Sequence, residues 1–272
     1  MRHHQIWMAT GALTVAGLLA GACSSDNAGP PLASGSGGAG GLLTAAGGAA
    51  GASPTACPTS TGPVDPTAAI DDMEATDPGI LMIGGRNGSW WAGGDMVSPG
   101  ANIVPDGNAS AEPIPGGGRC GSLHAMHVTG QGFTSWAVLT TSLRYGPVDG
   151  GASGLLPYDA HAWTGITFWA RIGDTSADQV RLSISDKATR PEGGICDATV
   201  SSGSTACYDN FGVALTQLGT QWTQYRIPFA GLGQQHFGVQ EAALDTAEIY
   251  TVDFNFFVNE IFDLWVDDIS FY

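Results

Sequence analysis

Apolar side chains recur at every second position in short runs along the second half of the chain. Ile166, Phe168 and Ala170 share one face of a run, Val180, Leu182 and Ile184 share a second, and Val252, Phe254 and Phe256 a third. Alternation with period two is the pattern of strands that bury one face. Glycine and proline interrupt these runs roughly every ten residues, and no internal repeat is visible. A helical pattern is confined to Val239–Ala247 and is short. The pattern predicts an all-β domain, a sandwich or barrel, over residues 67–272.

Two acidic clusters ride on strand-like runs at opposite ends of that region: Ile70-Asp71-Asp72-Met73-Glu74 and the closing Phe262-Asp263-Leu264-Trp265-Val266-Asp267-Asp268-Ile269-Ser270-Phe271-Tyr272. Counting by twos puts Asp72 and Glu74 on the face of Ile70, and Asp268 on that of Leu264 and Val266. Buried carboxylates need a cation, a proton or a metal, and the chain has nine Lys and Arg in all. If the first and last strands are neighbours, Asp72, Glu74 and Asp268 converge as hard oxygen ligands, with Asp267 and backbone carbonyls completing the shell. That donor set predicts a structural calcium ion. The apolar parity also switches after Val266, because Ile269 and Phe271 fall on the other count. A β-bulge at Asp267-Asp268 accounts for this.

The N-terminus carries a different signal. Arg2, His3 and His4 precede an apolar run from Ile6 to Ala22 that ends Leu19-Ala20-Gly21-Ala22-Cys23. A basic start, a short apolar stretch and small residues before a cysteine predict a bacterial lipoprotein signal peptide over 1–22, with lipid on Cys23. Ala20 stands where such a lipobox more often has leucine. Residues 23–66 are Gly, Ala, Ser, Thr and Pro with few large side chains, the composition of a flexible tether. The expected location is the bacterial cell envelope, at the outer membrane or cell surface, with the lipid as the only membrane contact. Five cysteines are odd for an exported chain, and assigning Cys23 to the lipid leaves four. Cys196 and Cys207 bracket one Gly- and Ser-rich loop and are expected to form one disulfide, which pairs Cys57 with Cys120 by elimination. No Cys-x-x-Cys spacing supports zinc.

Net charge narrows the partners. The formal charge is −16 with a pI near 4.3. Nucleic acid wants a basic stripe, and anionic lipid or polysaccharide is equally disfavoured, so the expected ligand is neutral and the expected state a monomer. Nucleophile elbows, zinc-binding helices, phosphate loops and dinucleotide fingerprints do not occur. His124 and His127 fall on opposite faces of a strand and do not chelate together.

Eight tryptophans occur, all but Trp7 beyond the signal-like segment. Trp169, Trp222 and Trp265 fit strand patterns as core. Trp90 and Trp91 are adjacent, so a strand turns one of them to solvent, where an indole can stack on a sugar ring.

The acidic opening strand, the closing Phe262-Asp263-Leu264-Trp265-Val266-Asp267-Asp268-Ile269-Ser270-Phe271 strand and the segments between them resemble the galactose-binding-like jelly-roll carbohydrate-binding modules. Those segments include Gly85–Trp91, Gly165–Arg171, Cys207–Gly212, Trp222–Phe229 and Gln234–Gly238. Where related domains read Asp-His-Phe-Gly, this chain has Asn210, and the role of that histidine does not carry over. The resemblance implies a non-catalytic jelly-roll module that binds glycans with polar and aromatic side chains on its concave sheet. On this chain the implied contributors are Trp91, Asp209, Gln235 and His236.

Overall fold

The computed structural model describes residues 65–148 and 152–272. The signal-like segment, Cys23, Cys57 and nearly all of the proposed tether lie outside the described residues. In chain order the described strands are β1 Ala69–Asp71, β2 Trp90–Gly94, β3 Asn102–Val104, β4 Gly107–Asn108, β5 Ala111–Pro113, β6 His124–Gln131, β7 Ala137–Ser142, β8 Tyr145–Pro147 and β9 Ser153–Leu155. They continue with β10 Gly165–Ile172, β11 Gln179–Asp186, β12 Phe211–Thr216, β13 Thr223–Pro228, β14 Ile249–Phe256 and β15 Phe262–Phe271.

Two antiparallel sheets form a sandwich of the jelly-roll kind. The first runs β13-β10-β15-β6-β3, with β1 added on β15 and β5 on β6; the second runs β12-β11-β14-β7-β2-β4. The apolar phase of each run faces the other sheet. Ile166, Phe168, Val266, Ile269 and Phe271 from the first sheet meet Trp90, Leu139, Leu182, Val252 and Phe254 from the second, all fully or almost fully buried. Such a core stabilises the domain by removing apolar surface from water.

The first and last described strands are pinned together from both sides. β15 is central to the first sheet, and β1 pairs with its last residues, Ala69 opposite Ser270. Arg86, 2% exposed, donates to the Thr67 carbonyl at 2.8 Å, to the Ala69 carbonyl and to the Tyr158 hydroxyl at 2.6 Å. Its guanidinium lies 5.1 Å from the Tyr158 ring centre and 5.6 Å from that of Phe271. A buried cation with no acidic partner among the described residues is thus held by carbonyl and ring dipoles.

Several expectations change. Val239–Ala247 forms bends and turns, not a helix; the backbone N–H groups of Glu241, Asp245 and Ala247 go to the side chains of Gln234, the distant Asp186 and Asp245. The expected inward parity of Asp72 and Glu74 fails. β1 ends at Asp71, Met73 adopts φ 60° and turns into the core, and the two acids point to solvent. The bulge on β15 is present. Thr167 pairs with Ser270 but Trp169 with Asp267, leaving an extra residue on β15 with Asp268 at φ 48°. The bulge buries Asp267 fully and leaves Asp268 half-buried.

Trp169, Trp222 and Trp265 lie on the outer face of the first sheet, apart from the main core. The Arg171 guanidinium sits 5.3 Å from the Trp222 ring and 4.7 Å from Trp265, and His127 stacks on Trp265 at 3.8 Å. The Arg119 guanidinium lies 4.0 Å from the Trp169 ring. These rings spend their faces on cationic side chains.

Cys196 and Cys207 are bonded, with Cα atoms 5.0 Å apart. Cys120 also takes part in a disulfide, while the expected pairing with Cys57 falls outside the described residues.

Candidate functional site

The outer face of the second sheet is assembled by register. Reading straight across the strands, Asn108 on β4 is opposite Trp91 on β2, Trp91 opposite Thr140 on β7, and Thr140 opposite Asp253 on β14. Asp253 is opposite Ser183 on β11, which is opposite Gly212 on β12. The neighbouring outward row holds Gly93, Val138, Asn255, Arg181 and Ala214. Four interstrand steps separate β2 from β12, roughly 19 Å at ordinary strand spacing. The result is an open strip with an aromatic end and a polar centre.

Trp91 supplies the aromatic end. Trp90 is fully buried and Trp91 is 38% exposed, as adjacent strand positions require. Trp136, 47% exposed, stacks beside it with ring centres 6.5 Å apart and planes 23° apart. Trp136 follows a turn built on Asp95, whose Oδ2 accepts the backbone N–H and hydroxyl groups of both Thr134 and Ser135.

The centre is a hydrogen-bonded network. Asp253 accepts from the Thr140 hydroxyl at 2.5 Å and from the Asn210 amide at 2.8 Å. Asn255 donates to the Ser183 hydroxyl at 2.8 Å. Burial holds the Asp253 carboxyl above the usual range, against the pull of Thr140, the Arg190 charge and Asn210. Arg181 donates to the Gly233 carbonyl at 2.7 Å, and a Cβ on Gly212 would come within 3.0 Å of its guanidinium carbon.

The far end is a loop next to β12, where Gly233 pairs with Gly212. Asp209 is its organiser. One carboxylate oxygen accepts Gln235 N–H at 2.7 Å, and the other accepts Phe237 N–H at 2.9 Å, Gly238 N–H at 3.1 Å and the Gln240 side-chain amide at 2.9 Å. At 1% exposure, with both oxygens occupied, it shapes the loop and does not face solvent. Gln235 and His236 are exposed, and His236, at φ 68°, is hydrogen-bonded to Gln240. The disulfide loop braces this turn: Gly203 donates to the Phe237 carbonyl at 2.9 Å and Val239 to the Ala206 carbonyl at 3.0 Å.

The structure therefore sets Trp91 at one end of the strip and Gln235 with His236 beyond the other. Sequence reading missed Trp136, Thr140, Arg181, Ser183, Asp253 and Asn255. Five of these lie in strands, four of them between the apolar positions of β11 and β14, so the same count by twos that marks the core also marks them.

The acidic clusters are arranged differently from the expected ligand set. Glu74 accepts Leu123 N–H at 2.9 Å and approaches His124 Nδ1 at 3.4 Å. Asp72 accepts Glu74 N–H at 3.2 Å, and Asp268 pairs with Arg119. Among the described residues no group of three or more His, Cys, Asp or Glu is close enough to hold a metal ion as it stands. Asp267 is the group that fits a cation. It is fully buried, and among the described residues neither carboxylate oxygen has a hydrogen-bond partner, since the nearby Ser122 hydroxyl donates to the His124 carbonyl. Burial pushes Asp267 up to about 6, against Ser122 and the Arg119 charge, while Glu74 and Asp72 push it the same way. His127 is held elsewhere, with Nδ1 3.1 Å from Glu112 and Nε2 3.0 Å from Asp263.

No protein-family model and no curated protein matches the chain. Among solved structures it is similar to the family 11 carbohydrate-binding module of Clostridium thermocellum in complex with a β-1,3-1,4-mixed-linked tetrasaccharide. The identity is 20% and the TM-score 0.46, over 75% of this chain and 94% of that one. A family 30 carbohydrate-binding module of a cellulosomal cellulase from Clostridium thermocellum aligns at 14% identity and a TM-score of 0.47, over 76% and 96%. An arabinose-bound α-L-arabinofuranosidase aligns at 11% identity and a TM-score of 0.38, over 76% of this chain and 26% of that one.

Proposed function

We propose that this domain is a non-catalytic carbohydrate-binding module that holds a neutral polysaccharide across the outer face of its second sheet. The observation that carries the reading is the register row from Trp91 to Ser183. An exposed indole lies in line with hydroxyl, amide and carboxylate groups, the combination that accepts a sugar's C–H face and its rim of hydroxyls. Across the two rows Asp253 is the one carboxylate, and its oxygens are engaged by Thr140 and Asn210. Glycoside hydrolysis ordinarily needs a pair flanking the bond, so binding without turnover is the better reading.

The setting belongs to the same proposal. The cysteine and small residues ahead of a polar linker favour export and lipid attachment at Cys23 in the bacterial envelope, with the domain monomeric beyond its tether. Calcium is proposed as a structural ion at the junction of the first and last strands. The orphaned carboxylate of Asp267 is its anchor, Asp72 and Glu74 move in from the surface, and Asp268 stays with Arg119. A bound calcium would neutralise the buried charge and tie β1 to β15.

A panel of neutral glycans tests the function directly. The wild-type domain should retain at least one without releasing reducing ends, and Trp91→Ala should weaken that binding by about 2 kcal/mol, roughly thirtyfold. Release of reducing ends makes the protein an enzyme, and failure to retain any glycan leaves a structural surface protein.

A further inference from the structure

Trp91 and Gly93 are successive outward positions on β2, and the glycine has no backbone reason to be there. It sits within a strand and outside the positive-φ region that favours glycine, and glycine weakens a strand. The reason is room. A Cβ at position 93 would lie 2.0 Å from Cη2 of Trp91, 2.6 Å from Cζ2 and 2.8 Å from Cζ3. The six-membered ring of the indole therefore rests on bare backbone. Its other neighbour is Trp136, stacked with ring centres 6.5 Å apart next to the Asp95 turn, and the indole as a whole stays 38% exposed.

We propose that Gly93 is a positioning residue for glycan binding: its missing side chain lets the Trp91 indole lie down on the sheet with one face open to stack on a pyranose ring. This rests on the function proposed above. Any side chain at 93 lifts the ring and turns its edge to the ligand, and a tilted indole offers a sugar less contact area. The same geometry orients the glycan, because a ring lying on β2 leads along the register row to Thr140 and Asp253.

The test is a double-mutant cycle of Gly93→Ala and Trp91→Phe, singly and together, read with whichever panel glycan the wild type retains best. The three atoms that meet the added Cβ belong to the outer ring of the indole, which the shorter phenylalanine does not reach. Gly93→Ala should weaken binding about fivefold in the wild-type background and add no loss beside Trp91→Phe. Without glycan, the Trp91 indole N–H resonance should shift in Gly93→Ala while the unfolding midpoint changes little. Wild-type affinity in Gly93→Ala, or an equal loss in both backgrounds, overturns the role. A wild type that retains no glycan sinks the proposed function instead, and an unmoved indole resonance would then overturn the seat of Trp91 as well.

Discussion

Asp209→Ala removes the acceptor on which the turn at 234–240 is built. The carboxylate takes three backbone N–H groups and one side-chain amide at 2.7–3.1 Å. A hydrogen bond to a charged group contributes about 1.5–3 kcal/mol. Four such terms do not add in full, because Gln235, Phe237 and Gln240 lie at the surface and rehydrate once the loop opens. A loss of about 4 kcal/mol is expected, at the high end for one substitution. Asp209→Asn behaves differently. The amide can turn its oxygen to the side with three donors and its NH2 toward Gln235 N–H, giving up one contact and about 2 kcal/mol. Urea unfolding reads the two losses, and amide exchange at Gln235, Phe237 and Gly238 localises them. Glycan affinity should fall with loop protection: largely lost in the alanine variant, largely kept in the asparagine variant. If both variants lose binding equally while those amides stay protected, Asp209 contacts the ligand itself and the organising role is wrong.

Three further outcomes are expected. Replacing Cys196 and Cys207 by serine opens a short loop and should lower stability by about 3 kcal/mol, measured by urea unfolding; an unchanged midpoint would mean the bridge constrains nothing. Asp267 has a folded pKa of about 6, above its unfolded value of 3.8, so the folded state keeps a proton between these values that the unfolded chain releases. Without metal its contribution is best below about pH 4 and is lost as pH rises through 6. In chelator, Asp267→Asn should therefore gain up to about 3 kcal/mol over wild type at pH 7.5 and nothing at pH 4. With excess calcium the sign should reverse, since the variant forgoes stabilisation by the ion; no dependence on calcium or pH would overturn both the ion site and the retained proton on Asp267. Finally, Cys23→Ala should release the protein from the membrane fraction, and continued retention would count against the anchor.

How much was legible depended on whether a residue's fate is set by strand parity or by what covers it. Parity alone separates Trp90 from Trp91, places Leu182 and Phe254 in the core, and exposes the slip on β15 through Ile269 and Phe271. The same count hands over Ser183, Asp253 and Asn255 once the polar phase is read with equal care. Parity fails at Asp72 and Glu74 because β1 is three residues long and Met73 leaves the extended region. It also misjudges Trp169 and Trp265, which keep a regular outward phase but are covered by Arg119, Arg171 and His127 from elsewhere in the chain. The loop-shaping contacts of Asp209 escape parity for a related reason. Four donors converge on it from residues 26 to 31 positions later, and local pattern carries no trace of such a closure.

The two outer faces of the sandwich show why aromatic content alone does not locate a binding surface. The first sheet carries three tryptophans outside, yet Trp265 is 6% exposed, enclosed between Arg171 and His127, and Trp169 faces Arg119. Each of those stacks already satisfies a ring face with a cation or an imidazole, and a sugar would have to displace a contact of about 0.5–2 kcal/mol before making its own. The second sheet carries two exposed tryptophans, and Trp91 has bare glycine beneath it and no cation above it among the described contacts. Its exposed indole is matched by in-register hydrogen-bonding groups that a neutral polysaccharide can meet without desolvating a free charge. In a chain of net charge −16, that combination favours a flat, uncharged ligand on the second sheet and leaves the first sheet to join β1 to β15.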